Sequence, residues 1–389
     1  MEGGFNTPPG TDAISTTNLL IFVVYHPSYR KTNILLFGAT GYVGGAVLSL
    51  FLQHPKTETF AITAPVRSPV KAKLIEQLGV KAPIASLDDH DKLESLASSS
   101  DVVFNIASSD HLPGTKAILK GMRKFYKTTG RRPILIHTRE NTPRTDSTVH
   151  SDLDVEQLKA IPYNAFHRSI DLAVISADEE GYARTYIIAP GIIYGLGSGT
   201  VFEAGIAKRV SIQIPSIIKA ALDRKCSGVV GPGKAVWPHV HLDDVADLFI
   251  KLFHAVSAHP ERVGHGWEGY YFAENGHSSW YDIGKAIGQA LVEIGVSADP
   301  EPTSFSTEEL VKYWGAEALG KYWGSTCRCS ADRGRALGWK PKFTEADMLT
   351  SLMKTEVQVQ LEAAQQNGGV VDFSYERSIA KILETSNQK

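Results

Sequence analysis

Cysteine is scarce in this chain, which has only Cys226, Cys327 and Cys329 among its 389 residues. An odd and sparse set argues against the disulfide framework of small secreted domains and suits a reducing compartment. Cys327 and Cys329 are separated by one residue, but no second cysteine pair accompanies them to complete a site. We therefore expect ordinary thiols and no bound metal.

An excess of charge of either sign is also lacking, because 40 Lys and Arg residues balance 42 Asp and Glu residues. A net charge of −2 gives no general attraction to nucleic acid or to an anionic membrane surface, so we expect neither as a partner.

Long apolar runs are missing as well. Residues 19–25 are apolar, but a membrane span needs about 20 such residues. The stretch before them carries Glu2 and Asp12 and no Lys or Arg, unlike a secretory signal. These absences predict a cytoplasmic protein with no membrane partner. Residues 1–17 are rich in Gly, Pro, Ser and Thr, so we expect the N-terminal extension, residues 1–31, to be partly disordered.

The most informative stretch is the apolar run 33–37, which continues into Gly38-Ala-Thr-Gly41-Tyr-Val-Gly44. A continuous apolar run is typical of a buried parallel strand. The three glycines would allow a sharp turn, close approach of a pyrophosphate and tight packing of the next helix, whose N–H groups attract phosphate. Apolar residues follow at 46–52, so the stretch predicts a dinucleotide-binding strand–turn–helix. The alternative is a glycine-rich turn without a ligand.

Strand and helix patterns alternate through the first half of the chain. This alternation predicts an α/β fold with a Rossmann-type, doubly wound parallel sheet, whose ligands bind at the carboxyl ends of the strands. The predicted strands are 33–37, 60–64, 102–106, 133–137 and 185–189, with 80–85 as a weaker candidate. The predicted helices are 41–53, 69–78, 89–98, 113–128 and 165–180.

After Tyr194 the pattern changes to loops, a strand at 269–273 and helices beginning near residues 242 and 281, which predicts a smaller lobe. We therefore expect four parts: the N-terminal extension (1–31), a dinucleotide-binding Rossmann domain (32–194), a mainly substrate-binding lobe with returning segments (195–345) and a C-terminal helical tail (346–389).

Four motifs follow one another along the chain: Gly38-Ala-Thr-Gly-Tyr-Val-Gly44, Ala189-Pro-Gly-Ile-Ile-Tyr-Gly195, Val240-His-Leu-Asp-Asp-Val-Ala246 and Ala336-Leu-Gly-Trp-Lys-Pro341. In this order they resemble the extended short-chain dehydrogenase/reductase family in its NAD-dependent epimerase/dehydratase group. The resemblance covers residues 32–345 and implies a nicotinamide cofactor and a small-molecule substrate; pairing into a homodimer is common in the family.

The end of the second strand bears on the choice of cofactor. An acidic residue there would bind the ribose 2′-hydroxyl of NAD, but this chain has Arg67 and Ser68. The guanidinium fork of Arg67 can pair with a 2′-phosphate, so we expect NADP(H), with NAD(H) as the alternative. By resemblance, the cofactor-binding residues are Gly38, Thr40, Gly41, Tyr42, Val43, Gly44, Arg67, Ser68, Ser86, Leu87, Ala107, Ser108, Pro190 and Ile193.

The family's catalytic pair is Tyr-x-x-x-Lys, in which the tyrosine exchanges a proton with the substrate and the lysine lowers the pKa of the tyrosine. The matching residues are Tyr163-Asn-Ala-Phe-His167, so a histidine replaces the lysine. Histidine is shorter and mostly neutral at pH 7, which makes it a weaker support for a tyrosinate. Pro162 predicts that the helix begins at or after Tyr163.

The family also places a Ser or Thr after the fifth strand, where Thr138 stands in this chain. Arg139 next to it could clamp a substrate carboxylate or polarise a carbonyl. His111, Tyr194 and Trp237 complete the candidate substrate-binding residues, although for His111 an exposed loop histidine is the favoured alternative. His241 and Asp243 are expected to cap a helix.

The sequence thus predicts an NADP(H)-dependent reductase or dehydrogenase acting on a carbonyl or alcohol of a medium-sized, partly hydrophobic molecule. The missing lysine keeps two alternatives open. One is a non-redox isomerase, cyclase or lyase on the same fold, and the other is a nucleotide-binding sensor whose catalysis has decayed.

Overall fold

A computed structural model of the chain divides into two units, Met1–Arg30 and Lys31–Lys389. The apolar run 19–25, most of the N-terminal extension and most of the polar stretch 141–149 lie outside the described residues. Among the helices that are described, none combines the length and the apolar character needed to cross a membrane. The structure describes residues 1, 3–4, 30–141 and 148–378.

Short elements alternate along the whole described chain. The strands are β1 Thr32–Phe37, β2 Phe60–Thr63, β3 Val102–Asn105, β4 Ile134–Thr138, β5 His150–Ser151, β6 Arg184–Pro190, β7 Ile192–Tyr194, β8 Gly228–Val229, β9 Val236–His241, β10 Tyr270–Ala273, β11 His277–Ser279, β12 Thr303–Ser304 and β13 Cys329–Ser330. The α-helices are α1 Tyr42–Leu52, α2 Pro69–Gln77, α3 His90–Ala97, α4 Leu112–Thr129, α5 Val155–Lys159, α6 Arg168–Glu179, α7 Thr200–Glu203, α8 Gln213–Arg224, α9 Leu242–Ala258, α10 Trp280–Glu293, α11 Thr307–Trp314, α12 Glu317–Tyr322, α13 Asp332–Ala336, α14 Glu345–Asp347 and α15 Met353–Gln366.

A six-stranded sheet forms the centre of the fold, with the strand order β10-β6-β4-β3-β1-β2. Every neighbouring pair is parallel, and Ile34 of β1, for example, is opposite Val102 of β3. This confirms the predicted Rossmann-type sheet, and the five predicted strands of the first half begin and end within one residue of the observed ones. The candidate at 80–85 is not a strand, since it makes two isolated bridges, at Lys81 and Ile84.

Strand β10 was predicted as an element but not as part of the central sheet. It pairs with β6 in parallel, with Tyr270 opposite Ile187, although residues 191–269 separate the two strands in the chain. The second half of the chain therefore completes the sheet that the first half begins. All six carboxyl ends lie at one edge, which is where ligands bind in sheets of this kind.

A cluster of aromatic rings packs helix α1 against the sheet. Phe51 of α1 is fully buried, and its ring centroid lies 5.3 Å from that of Phe104 on β3 and 5.3 Å from that of Phe253 on α9. Phe60 approaches the same ring at 5.7 Å, and all three contacts are edge-on, the arrangement that aromatic quadrupoles favour. This packing holds the helix that follows the glycine motif.

Separate hydrophobic clusters organise the second half. The sheet β11-β9-β7 packs with α8 and α10, and Trp237, Ile283 and Ile287 are buried between them. Within the predicted C-terminal tail, α15 joins this cluster through Met353 and Val357. All three cysteines are free thiols.

Truncation of the central ring tests this packing. We expect Phe51→Ala to lower the free energy of unfolding by about 3–5 kcal/mol, because it removes a buried ring and leaves a cavity. Urea unfolding measures the change. The exposed Val70→Ala should change stability by less than about 0.5 kcal/mol. A loss below about 1 kcal/mol for Phe51→Ala would contradict the described core.

Candidate functional site

The glycine motif forms a tight turn between β1 and α1. Gly38 has φ +95°, in the left-handed region that favours glycine, and a Cβ there would lie 2.7 Å from the carbonyl carbon of Ile106. A Cβ on Gly44 would lie 2.1 Å from the carbonyl oxygen of Gly38. The turn and the close packing of helix on strand therefore both require glycine.

The same turn presents the N-terminus of α1. Gly41 is the N-cap residue, with no side chain to bond the first N–H groups, and the first turn contains no acidic residue. A Cβ on Gly41 would meet only the carbonyl oxygen of Gly38, at 3.1 Å, among the described residues. Free N–H groups and an open face fit a pyrophosphate, so these residues could hold a dinucleotide. Thr40, Tyr42 and Val43 belong to this turn.

The other predicted cofactor residues follow β2, the 80–85 stretch and β3. Arg67 is exposed and makes no ion pair with a described residue. Ser68 is the N-cap of α2, and its hydroxyl accepts from the Lys71 N–H at 3.4 Å. Ser86 donates its N–H to Asp89, at 2.6 Å. Leu87 packs against the main core, Ala107 is exposed, and the Ser108 hydroxyl accepts from the Asp110 N–H at 3.1 Å.

The histidine of the Tyr-x-x-x-His sequence has a distinctive setting. His167 is the N-cap of α6 with φ +66°, and its Nδ1 donates to Oδ1 of Asp110 at 2.7 Å. Burial alone would raise the pKa of Asp110, but the hydrogen bond and charge of His167 outweigh it and the pKa lies below its usual value. Tyr163 precedes the helix and is 76% exposed, which confirms that the helix begins after it.

Arg139 lies in a buried ion pair under the same edge. Its Nη1 donates to Oδ2 of Asp171 at 2.7 Å and to the hydroxyl of Tyr270 at 2.5 Å. Burial raises the pKa of Asp171 and the charge of Arg139 opposes that rise. The guanidinium that was expected to clamp a substrate is thus held by α6 and β10. Thr138, the last residue of β4, donates its hydroxyl to the Ile188 carbonyl at 3.2 Å.

Comparisons with known proteins agree with this geometry. A sequence model of the NmrA-like family matches residues 30–122. The protein Oxidase ucsJ from Acremonium sp is 32% identical over 343 residues, which cover 79% of this chain and 92% of that relative. The chain belongs to the extended short-chain dehydrogenase/reductase family.

Solved structures of this family share the fold. The UDP-glucose 4-epimerase of Thermotoga maritima, solved with UDP-glucose, is 14% identical with a TM-score of 0.59, covering 85% of this chain and 99% of that one. The dTDP-glucose 4,6-dehydratase of Bacillus anthracis, solved with NAD, is 14% identical with a TM-score of 0.60. The match covers 86% of this chain and 98% of that one. At such identities the likeness shows the fold alone.

Three predicted substrate-binding residues of this family member have structural partners. His111 is the N-cap of α4, where its Nδ1 accepts from the Gly114 N–H at 3.0 Å. Tyr194 and Trp237 are fully buried, the first donating to the Thr344 carbonyl at 3.2 Å and the second to the Ser325 carbonyl at 2.8 Å. Neither aromatic side chain is presented at the surface. His241 caps α9 by accepting from the Asp243 N–H at 3.2 Å, as predicted.

Two acidic residues beside the predicted site residues were not predicted from the sequence. Asp110 binds His167, and Glu140 follows Arg139 at the carboxyl edge of the sheet. The positions of Asp110 and Glu140 in the sequence mark them as candidates, because acidic residues that follow strands of a Rossmann sheet lie at the ligand edge. Tyr322 of α12 also reaches this region, with its ring 6.0 Å from that of Phe166, and no local pattern marks it.

A fourth residue that was not predicted, Glu356, has no sequence signal and joins the C-terminal helix to the site. Pro190 ends β6 and Ile193 lies in β7, on the nicotinamide side that the resemblance implies. The following Gly195 donates its N–H to Oε1 of Glu356 at 2.6 Å and accepts from the Tyr42 hydroxyl at 2.5 Å. Glu356 thus links α15, the loop after β7 and the glycine motif. Burial raises its pKa from 4.5 to about 8.

This raised pKa predicts a pH-dependent stability. The contribution of Glu356 is fully present below pH 4.5 and is lost as the pH rises through about 8, because the buried carboxyl must then ionise. We expect the Tm to fall less over this range in Glu356→Gln than in the wild type. Differential scanning calorimetry checks this, with the exposed Glu362→Gln on the same helix as the control. The same dependence of Tm on pH in Glu356→Gln and in the wild type would contradict the raised pKa of Glu356.

Removal of one partner tests the buried ion pair. Asp171→Ala leaves the charge of Arg139 buried without its carboxylate, so we expect a loss of about 3–5 kcal/mol in unfolding free energy. Chemical denaturation measures it. Breaking the exposed Glu156–Lys159 pair by Glu156→Ala should cost no more than about 1 kcal/mol. Similar losses for both variants would show that the Arg139 pair is not buried as described.

Proposed function

We propose that this protein is an NADP(H)-dependent reductase or dehydrogenase acting on a carbonyl or alcohol of a medium-sized, partly hydrophobic organic molecule. The observation that carries the proposal is the glycine turn, in which Gly38 and Gly44 admit no side chain while the N-terminus of α1 stays uncapped. The relative described as an oxidase supports redox chemistry, and the structural neighbour solved with NAD supports a nicotinamide dinucleotide.

The preference for the phosphorylated cofactor rests on Arg67. Its guanidinium has no carboxylate partner among the described residues and stands where an NAD-binding protein would carry an acid. The Ser68 hydroxyl accepts a backbone N–H and still has its own proton to donate to a phosphate oxygen. NAD(H) is the alternative cofactor.

His167 has the role of the missing lysine in this proposal. The Asp110 carboxylate accepts from Nδ1, which fixes the ring and leaves Nε2 to bond a ribose hydroxyl. Bound nicotinamide would supply or accept the hydride, and the protein would orient the substrate and move the proton. The resemblance offers Thr138 and Tyr163 as the other catalytic candidates, although Tyr163 is 76% exposed and must turn inward to reach a substrate.

The substrate character follows from the aromatic rings at this edge. Phe166 is 43% exposed and packs edge-on against Tyr322, so a bound molecule would meet apolar ring surface beside the carboxylates. We also propose that residues 32–194 bind the dinucleotide, that 195–345 contribute most substrate contacts and that the protein acts in the cytoplasm.

The chain offers a specific variant for the cofactor choice. We expect Arg67→Ala to weaken NADPH binding by about 10- to 100-fold, because charge-assisted hydrogen bonds to the phosphate contribute about 1.5–3 kcal/mol. NADH binding should change little. Fluorescence titration of the reduced nicotinamide measures both dissociation constants, and the exposed Arg262→Ala serves as the control.

The possible outcomes test separately the NADP preference, the binding of a dinucleotide and the redox reaction. An unchanged NADPH-to-NADH ratio in Arg67→Ala would contradict the NADP preference alone. Failure of the wild type to bind either dinucleotide would contradict the whole proposal. A cofactor that binds but is never consumed with a panel of aldehydes and ketones would favour the non-redox isomerase, cyclase or lyase, or the sensor.

A further inference from the structure

The backbone after β4 is fixed by hydrogen bonds to β6. The Arg139 N–H donates to the Ile188 carbonyl at 3.0 Å, and the Asn141 N–H donates to the Pro190 carbonyl at 3.2 Å. The parallel ladder therefore continues past the end of the strand. Glu140 lies between these two bonds, beside Pro190 at the carboxyl edge of the sheet.

The side chains on this segment alternate. Arg139 and Asn141 both line a small internal cavity together with Tyr270 and Cys329. Neighbouring residues of an extended chain point to opposite sides, so Glu140 points away from that cavity. It points toward the side of the sheet edge where Asp110 and His167 meet, and both of these groups act on its charge.

Glu140 differs from the other acids of the site in having no partner. Asp171 binds Arg139 and Asp110 binds His167, whereas the half-buried carboxyl of Glu140 makes no hydrogen bond or ion pair with a described residue. Withdrawing such a group from water without a partner costs free energy, which calls for a functional reason. Among the described residues, the charged and titratable groups around it are Asp110, Arg139, His167, Tyr322 and Tyr375.

These surroundings suit a group that changes its protonation state during a reaction. Burial raises the pKa of Glu140, the charge of Asp110 raises it further, and His167 and Arg139 oppose the rise. The net shift is upward, toward the neutral pH at which a general acid–base works best. Tyr163, by contrast, is 76% exposed.

We propose that Glu140, rather than Tyr163, is the acid–base catalyst that exchanges a proton with the oxygen of the substrate. The inference rests on the proposed nicotinamide-dependent function. In reduction, the carbonyl carbon would accept a hydride from the reduced nicotinamide while its oxygen takes the Glu140 proton, and a solvent proton then restores the acid. In oxidation, the Glu140 carboxylate would take the hydroxyl proton, and bound oxidised nicotinamide would accept the hydride.

The first test needs no substrate. The oxidised nicotinamide ring carries a positive charge and the reduced ring does not, so a nearby carboxylate favours the oxidised form. Because Glu140 ionises as the pH rises, the wild type should bind NADP⁺ more tightly relative to NADPH at high pH. We expect the ratio of the NADPH to the NADP⁺ dissociation constant to rise at least about threefold between about pH 5 and about pH 9. Glu140→Gln should remove most of that rise, and the exposed Glu58→Gln should keep it.

Turnover supplies the second test, with whichever aldehyde or ketone of the panel consumes NADPH. We expect Glu140→Gln to lower kcat by about 100-fold or more while its NADPH dissociation constant stays within about threefold of the wild type. Glu140→Asp should retain part of the activity, and the exposed Glu58→Gln should keep the wild-type kcat.

The outcomes that would overturn the inference are distinct from failure of the proposed function. A folded Glu140→Gln protein that keeps the wild-type pH profile and turnover would overturn it, and so would loss of activity in Tyr163→Phe alone. If Glu140→Gln does not fold, the wild type and Glu140→Asp still test the inference. A ratio of the NADPH to the NADP⁺ dissociation constant that does not change with pH in the wild type would overturn the inference. A smaller pH-dependent rise of that ratio in Glu140→Asp would support it. A wild type that binds neither dinucleotide contradicts the proposed function instead.

Discussion

The buried charge of Arg139 is the constraint on which the ligand edge of this fold depends. A guanidinium withdrawn from water needs a carboxylate and further hydrogen bonds in good geometry. Asp171 of α6 and Tyr270 of β10 supply them, at 2.7 and 2.5 Å. One side chain therefore holds the end of β4, the first turns of α6 and the strand that joins the sheet from the second half of the chain. None of these elements can shift alone without exposing the pair or leaving a charge uncompensated.

This constraint also arranges the chemistry around it. Because Arg139 turns inward, the next residue, Glu140, must face the opposite side. Because Asp171 fixes the start of α6, His167 at the N-cap comes within 2.7 Å of Asp110 on the loop after β3. The site is thus built on strand ends and a helix terminus rather than on long loops, which is how a scaffold holds reacting groups at short distances. Its acids differ in their partners, and the proposed division between structural and chemical roles rests on that difference.

Local patterns predicted the strands and the glycine turn well, and they failed where partners are distant in sequence. The apolar run 33–37, which is followed by Gly38, located β1. Pro162 correctly indicated that the helix begins after Tyr163. No local signal shows that Arg139 meets Tyr270, 131 residues later, so its availability to a substrate could not be judged. Tyr194 and Trp237 show the same limit, since an aromatic residue near a predicted pocket can be fully buried and hydrogen-bonded instead.

The bond between Gly195 and Glu356 spans 161 residues and has a consequence for biosynthesis. A chain emerging from the ribosome completes the glycine turn early, but the loop after β7 receives its acceptor only when α15 has been made. The strands of the central sheet can therefore form before α15 has been made, whereas the loop beside Tyr42 gains this hydrogen bond only afterwards. A premature stop just before α15 would leave all six strands of the central sheet but would remove the Glu356 carboxyl that accepts the Gly195 N–H.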